Sequence, residues 1–305
     1  MYDVISIGSS LIHSHHFELT KASEGTLLCQ KYGEKIEVDS FNVVTGGGAS
    51  NTAVGFSRLG FRSAVISELG KDNFAQQLLV DLKNENVATE LLIQEKKEQT
   101  GGSVILVGND GGRTVMVHRG ASSQLDPEDI AKAAIIQSCW VHLSSISGQA
   151  DTLQYLLALF VQHQVRWSWN PGSAELKLIA EQKIQLEQIN CEVLLLNQEE
   201  WQVVQELQHQ LKAQVPMILV TDGARGVTVY DEGKAGQHHS AEEVSSVDDT
   251  GAGDAFGVGL VSARLLGKSA ETSVRWGMAN AASVVQAVGA KSGLLRRSQI
   301  ERIER

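Results

Sequence analysis

From Pro127 to Thr221 the chain alternates short apolar runs of strand length with longer stretches of helical spacing, and that rhythm leaves few folds open. The runs are Trp140 to Ser144, Val165 to Trp169, Glu192 to Leu196 and Met217 to Thr221. Helical patterns end at Gln137, then cover Asp151 to Gln164 and Gln198 to Leu211. Strands separated by helices pair in parallel through crossovers, so the expected core is a mostly parallel sheet covered by helices. Tyr2 to Gly8 adds a buried strand followed by a loop from Ser9 to His13, and Ala64 to Leu69 with the helix Asn73 to Glu85 continues the pattern. In open α/β sheets ligands bind in loops at the carboxyl ends of strands.

Two stretches break the rhythm. Thr26 to Cys29, Lys35 to Val38 and Phe41 to Val44 are short β-prone pieces of alternating polarity. Gly102 to Val107 and Arg113 to His118 flank the turn Gly108 to Gly112 and read as a hairpin. Together they predict a small β-sheet lid formed by insertions at about 14–44 and 88–120 within one domain spanning 1–305. No internal repeat, low-complexity tract or linker divides the chain.

Near the other end stands Val247-Asp248-Asp249-Thr250-Gly251-Ala252-Gly253-Asp254-Ala255-Phe256-Gly257, directly before a long apolar segment of helical spacing. A helix starting near Gly253 turns unpaired backbone N–H groups toward an incoming anion, with the Asp254 carboxylate at the edge of that pocket. Such a device suits phosphoryl transfer to a hydroxyl whose proton the carboxylate removes. Thr45 to Asn51, containing Gly46, Gly47 and Gly48, reads as a flexible run feeding a helix from Thr52 to Gly60. Three glycines let a backbone pass close to a ligand, and Asn51 offers it both a donor and an acceptor. No Gly-Lys-Ser/Thr follows, so this is not a Walker A loop.

Charge and cysteine content narrow the function classes. With 305 residues and a formal net charge of -10, the chain lacks the clustered basic surface of a nucleic-acid binder. Arg296-Arg297, interleaved with Glu301 and Glu304, reads as a solvated helix face. Cys29, Cys139 and Cys191 are too scattered for a disulfide framework. No basic leader opens the sequence, and the longest apolar candidate, Tyr155 to Val161, falls short of the ~18 residues of a membrane span. The expectation is a soluble cytoplasmic protein with no membrane or nucleic-acid partner.

Several motifs agree with one family. Gly46-Gly47 with Asn51, Ala53-Val54 and Leu59-Gly60, and then Asp248 through Phe256, resemble the two signatures of the ribokinase-like (PfkB) carbohydrate kinases. Asn197-Gln198-Glu199-Glu200 is similar to that family's Asn-x-x-Glu, and Thr221-Asp222-Gly223-Ala224-Arg225-Gly226 to its nucleotide loop. The resemblance implies a three-layer α/β/α fold with a mostly parallel central sheet and a small β-sheet lid. It makes Asp254 the base and the Gly251, Ala252 and Gly253 amides the anion hole. It gives ATP and Mg²⁺ to Asn197, Glu200, Thr221, Gly223, Gly226 and Asn280, and in some members a K⁺ to Asp248 and the Thr250 carbonyl. The acceptor would be a sugar or nucleoside, held by His13, Gly46, Gly47, Gly48, Asn51, Arg119 and Asn170. Pairing of lids implies a homodimer.

The acceptor end departs from the family pattern. His13 stands where members commonly carry a carboxylate, Leu11 where ribokinases carry Asn, and Gly48 where they carry Lys. A histidine cannot replace a carboxylate's two-oxygen grip. His13, His15 and His16 lack the cysteine or carboxylate spacing that would complete a zinc site, and His238-His239 falls in a polar turn. The alternatives are a nucleoside kinase and a sugar- or nucleotide-binding regulatory protein that lost turnover. A dinucleotide oxidoreductase is disfavoured, because Gly251-x-Gly253-x-x-x-Gly257 is followed by a second helix instead of a strand near Glu271.

Overall fold

The computed structural model describes residues 1–15, 33, 35, 41–94, 97–107 and 113–304. In chain order the elements are β1 (Val4–Ile7), β2 (Leu11–His15), β3 (Asn42–Gly46), α1 (Gly48–Arg58), β4 (Ser63–Ile66), β5 (Glu68–Leu69), α2 (Asn73–Asn84), β6 (Ile93–Gln94), β7 (Gly102–Val107), β8 (Arg113–His118), α3 (Lys132–Gln137) and β9 (Trp140–Leu143). Then come α4 (Ala150–His163), β10 (Trp167–Trp169), α5 (Ser173–Ala180), β11 (Val193–Asn197), α6 (Gln198–Val203), α7 (Gln208–Gln214), β12 (Met217–Thr221), β13 (Val227–Asp231), β14 (Gln237–His239), α8 (Ala252–Leu265), α9 (Ala270–Val284) and α10 (Arg297–Ile300).

The main sheet runs β14-β13-β12-β11-β10-β9-β1-β4, parallel from β12 to β4 and antiparallel at β13 and β14. Successive side chains on a strand face opposite ways, and the buried strands use both faces. Leu194, Leu196, Ile218 and Val220 pack with α4, α5, α6 and α7 through Phe160, Leu176, Trp201 and Leu211. Val193, Leu195, Met217 and Leu219 pack with α1, α8, α9 and α10 through Phe56, Phe256, Trp276 and Ile300. The result is the expected three-layer α/β/α arrangement.

A four-stranded second sheet, β3-β2-β7-β8, forms the lid. The hairpin is present as β7 and β8, paired from Gly102↔His118 to Val107↔Arg113. Its turn, residues 108–112, and the pieces Thr26 to Cys29 and Ile36 to Val38 lie outside the described residues, as do His16 and Cys29.

Several boundaries differ from the expectation. The loop expected from Ser9 to His13 is already strand from Leu11, because β2 finds partners on both sides, β3 and β7. The stretch from Thr45 to Asn51, expected as a flexible run, is regular structure: β3 ends at Gly46, and α1 begins at Gly48 after a single residue. Gly47 turns the corner at φ 94°, and a Cβ there would stand 2.4 Å from the Ser9 carbonyl oxygen. Close approach, not mobility, explains that glycine. The helix expected from Gln198 to Leu211 is broken into α6 and α7 by a 3₁₀ turn at Gln205–Leu207. The β-branched pair Val203-Val204 weakens continuity, and Val204 is drawn into the core. Strands β13 and β14 and helix α5 had no expected counterpart.

Candidate active site

The two glycine-bearing stretches meet at the carboxyl end of the sheet. Gly251 caps α8 in the left-handed region at φ 81°, and a Cβ on it would lie 2.4 Å from that of Ala290. Any other residue would therefore be both strained and in collision. Ala252, Gly253 and Asp254 form the first turn of α8. First-turn amides have no intrahelical partner; that of Ala252 donates to the Asp249 carbonyl at 3.3 Å, a long bond. The Asp254 Oδ2 accepts from Asn51 Nδ2 at 2.7 Å, joining α8 to α1. Burial raises the Asp254 pKa above its ordinary 3.8, and the Asn51 amide opposes that rise by favouring the ionised form. The buried Asn51 Oδ1 has no hydrogen-bond partner among the described residues.

Small residues surround this carboxylate. A Cβ at Gly48 would lie 2.7 Å from Ser144 Oγ and 3.5 Å from Asp254 Oδ1. Ser144, just after β9, donates to the Ile7 carbonyl at 3.0 Å. Across the helix N-terminus, a Cβ at Gly253 would lie 3.8 Å from Asn170 Oδ1, while Asn170 Nδ2 donates to the Leu195 carbonyl. Gly46, Gly47, Gly48, Asn51, Asn170, Gly251, Gly253 and Asp254 are thus gathered into one region. Arg119, exposed just beyond β8, donates from Nη1 to Ser147 Oγ at 3.3 Å on the loop after β9. His13 lies within lid strand β2, opposite Val44 of β3, and not in a loop.

The expected nucleotide residues lie further along the same edge. Asn197 ends β11 and caps α6: its side chain accepts from the Glu200 amide, and Glu200 Oε2 accepts from the Asn197 amide, each at 2.8 Å. This is a reciprocal capping box. Burial raises the Glu200 pKa, with the Asn197 amide opposing and the Glu199 and Glu175 charges assisting. Thr221 ends β12 beside Asn197. Gly223 adopts φ 53° with open space around it, whereas Gly226 at φ 108° would place a Cβ 2.0 Å from the His239 carbonyl oxygen. Gly226 is thus required by its close approach to β14. Asn280 departs from its expected role: its side chain is fully buried, donating to the Ala255 carbonyl and accepting from the Leu295 amide. It locks α8 to α9 and to the segment after α9.

The loop after α9 braces the turn before α8. Asp248 Oδ1 accepts from the Thr250 amide at 2.9 Å and Oδ2 from the Gly289 amide at 2.8 Å. Two residues on, the buried Lys291 ammonium reaches Asp81 Oδ2 of α2 at 2.6 Å and Thr45 of β3. Arg58 of α1 completes the tie, bonding the Lys291 carbonyl at 2.7 Å and forming a bidentate pair with Glu85. Lys291 and Asp81 carry no local signal in the sequence, because only the fold brings them together.

The model of the pfkB family carbohydrate kinases matches residues 1–296. The chain is 26% identical over 283 residues to a ribokinase of Haemophilus influenzae, covering 88% of this chain and 90% of that one. It is 29% identical over 239 residues to a fructokinase of Escherichia coli, covering 71% and 76%. Among solved structures, a putative ribokinase II from E. coli in complex with ATP and Mg²⁺ superposes with a TM-score of 0.82 at 20% identity, covering 100% of this chain and 99% of that one. A Methanocaldococcus jannaschii nucleoside kinase superposes at 0.80 with 24% identity, covering 99% and 98%.

Proposed function

The chain belongs to the pfkB family of carbohydrate kinases and is an ATP-dependent carbohydrate kinase, and from that premise we propose that Asp254 is the base which activates the acceptor hydroxyl. The observation that carries this reading is the 2.7 Å contact of Asn51 with Asp254 at the N-terminus of α8. It holds one carboxylate oxygen and leaves the other to face the acceptor. The hydroxyl proton passes to Asp254 as its oxygen bonds to the γ-phosphorus and the bond to the ADP oxygen breaks. Unpaired amides of the first α8 turn stabilise the charge on the transferring group.

In this reading Thr221, Gly223 and Gly226 would hold ATP, and Asn197 and Glu200 would hold its Mg²⁺, which would offset the phosphate charge. Carboxylate and carbonyl oxygens suit such hard cations. A K⁺ would be held by Asp248 and the Thr250 carbonyl, adding positive charge beside the anion turn. His13, Gly46, Gly47, Gly48, Asn51, Arg119 and Asn170 surround the acceptor.

We take the acceptor as a sugar or a nucleoside. The same reading makes the protein a cytoplasmic homodimer paired through the lid. Val43, Val104 and Met116 support that pairing, since the ladder places them across one face of the lid and all three are exposed.

The deciding experiment offers Mg·ATP with a panel of pentoses, hexoses, deoxy-sugar acids and nucleosides, with and without K⁺, and identifies the phosphorylated position. Background rates with every acceptor would favour a binding protein over a kinase.

A further inference from the structure

Glu175 is fully buried, yet no salt bridge to it occurs among the described residues. A carboxylate in that position is costly unless hydrogen bonds replace the water it loses. Here they come from two loops. Oε2 accepts from the Gly172 amide at 2.9 Å and from Ser145 Oγ at 3.0 Å. Oε1 accepts from the Ile146 amide at 2.9 Å and the Gly148 amide at 2.7 Å. A first-turn glutamate that merely caps its own helix needs only the first of these bonds and can remain in solvent.

Both clamped loops belong to the site. The first follows β9 and carries Ser144, which touches Gly48 beside Asp254, and Ser147, which receives Arg119. Ser147 and Gly148 both lie in the left-handed region, at φ 65° and 73°. For Ser147 that conformation is strained and persists only when its surroundings enforce it. The second loop follows β10 and carries Asn170, whose Oδ1 faces Gly253. The loops are pressed together, since a Cβ at Gly172 would lie 2.7 Å from Ser145 Oγ.

We infer that Glu175 is a positioning residue for phosphoryl transfer: a buried anion whose hydrogen bonds hold the loops after β9 and β10, and with them Ser144, Ser147, Arg119 and Asn170, in register with Asp254. The inference rests on the kinase reading above. The hydrogen bonds of Glu175 serve the acceptor side: the loop of Thr221, Gly223 and Gly226 hangs from β12 and β13 and receives no bond from it, and its charge reaches the nucleotide residues only as the smallest contribution to the raised Glu200 pKa. Displacing an acceptor by about an ångström is enough to cost on the order of 100-fold in rate.

The test is Glu175→Gln, which keeps the shape but turns an N–H donor toward the loop amides. Ser145→Ala, which removes one of the clamped donors, is the milder companion. KM and kcat are measured with whichever of D-ribose, D-fructose and adenosine the wild type phosphorylates fastest, alongside KM for Mg·ATP and Tm. The expected result is an acceptor KM raised at least ~10-fold with reduced kcat for Glu175→Gln. Ser145→Ala should show a smaller change of the same kind, and KM for Mg·ATP should stay within about twofold in both. Leu211→Ala, a core truncation on α7, should lower Tm without moving the acceptor KM. Variants that lose Tm but keep wild-type acceptor KM and kcat would overturn the inference and leave the kinase reading intact. A wild type that phosphorylates none of the three, nor any acceptor of the wider panel, overturns both.

Discussion

Asn51 and Asp254 stand 203 positions apart in the chain and meet at 2.7 Å, amide Nδ2 to carboxylate Oδ2. The contact joins the first turns of α1 and α8, so the carboxylate is oriented by the helix that follows lid strand β3. Replacing Asp254 with Asn keeps the helix terminus and removes the carboxylate proposed as proton acceptor. The expected outcome is a kcat reduced by ~10² to 10⁴ with ATP affinity retained. Single-turnover kinetics and nucleotide titration check it together; near-wild-type turnover would remove Asp254 from the mechanism.

With Asp254 as the proposed base, the same contact should set the acid side of the pH profile. Burial raises the Asp254 pKa and the Asn51 bond lowers it. The base works only when ionised, so activity should rise with pH on a limb lying above the ordinary aspartate pKa. Asn51→Ala removes a donor to the ionised form and should move that limb to higher pH. A kcat profile in which the limb stays put, or moves toward acid, contradicts the assignment.

His142 is buried between β9 and α8, with Nδ1 on Ser168 Oγ at 2.7 Å, and burial pulls its pKa down to about 4 from 6.5. In the window between those values the unfolded chain binds the proton and the folded chain does not. Stability is therefore complete above about pH 6.5 and declines as pH falls toward 4, by about 3 kcal/mol from this group. Denaturant midpoints at several pH values should show that decline in wild type and a correspondingly smaller one in His142→Gln.

The Lys291–Asp81 pair is asymmetric: the lysine side chain is 10% exposed and the aspartate 37%. Breaking a buried pair costs about 3–5 kcal/mol when the survivor stays buried, and less when water can reach it. Asp81→Asn strands the buried ammonium, so it should destabilise more than Lys291→Met, which leaves a half-exposed carboxylate. Equal losses in Tm would mean that the shared Thr45 contact outweighs solvent access.

The lid face carrying Val43, Val104 and Met116 predicts a dimer that a charge can dissolve. Met116 lies on the edge strand β8 and is 52% exposed. Met116→Glu buried in an apolar pairing should weaken association at least ~100-fold. Light scattering across a concentration series separates the cases; a wild-type mass that stays monomeric would end the proposal.

What could be read from sequence was what depends on local chain geometry. The turn before α8 demands Gly251 whatever surrounds it, and the strand–helix rhythm implies the parallel sheet without knowledge of its order. Gly47 and Gly226 announced themselves as glycines, but the reasons, the Ser9 and His239 carbonyls, come from distant chain. Glu175 looks in sequence like any first-turn glutamate, because its partners at Ser145, Ile146 and Gly148 precede it by 27 to 30 positions. Asn280 shows the converse: resemblance assigned it to the nucleotide, while burial gives both ends of its amide to the backbone. The hydrophobic pattern around His13 predicts a loop, because it cannot reveal that β3 and β7 flank β2.

At the base of the lid, the Ala49 amide donates to the Ser9 carbonyl at 3.0 Å, so the chain leaves the main body after Ser9 and rejoins it at α1 in the same place. The segment from Leu11 to Gly46 is a detour with coincident ends, and the parallel core need not shift when its length or composition changes. A protein built this way can change the length of its lid while Asn51 and Asp254 stay where they are.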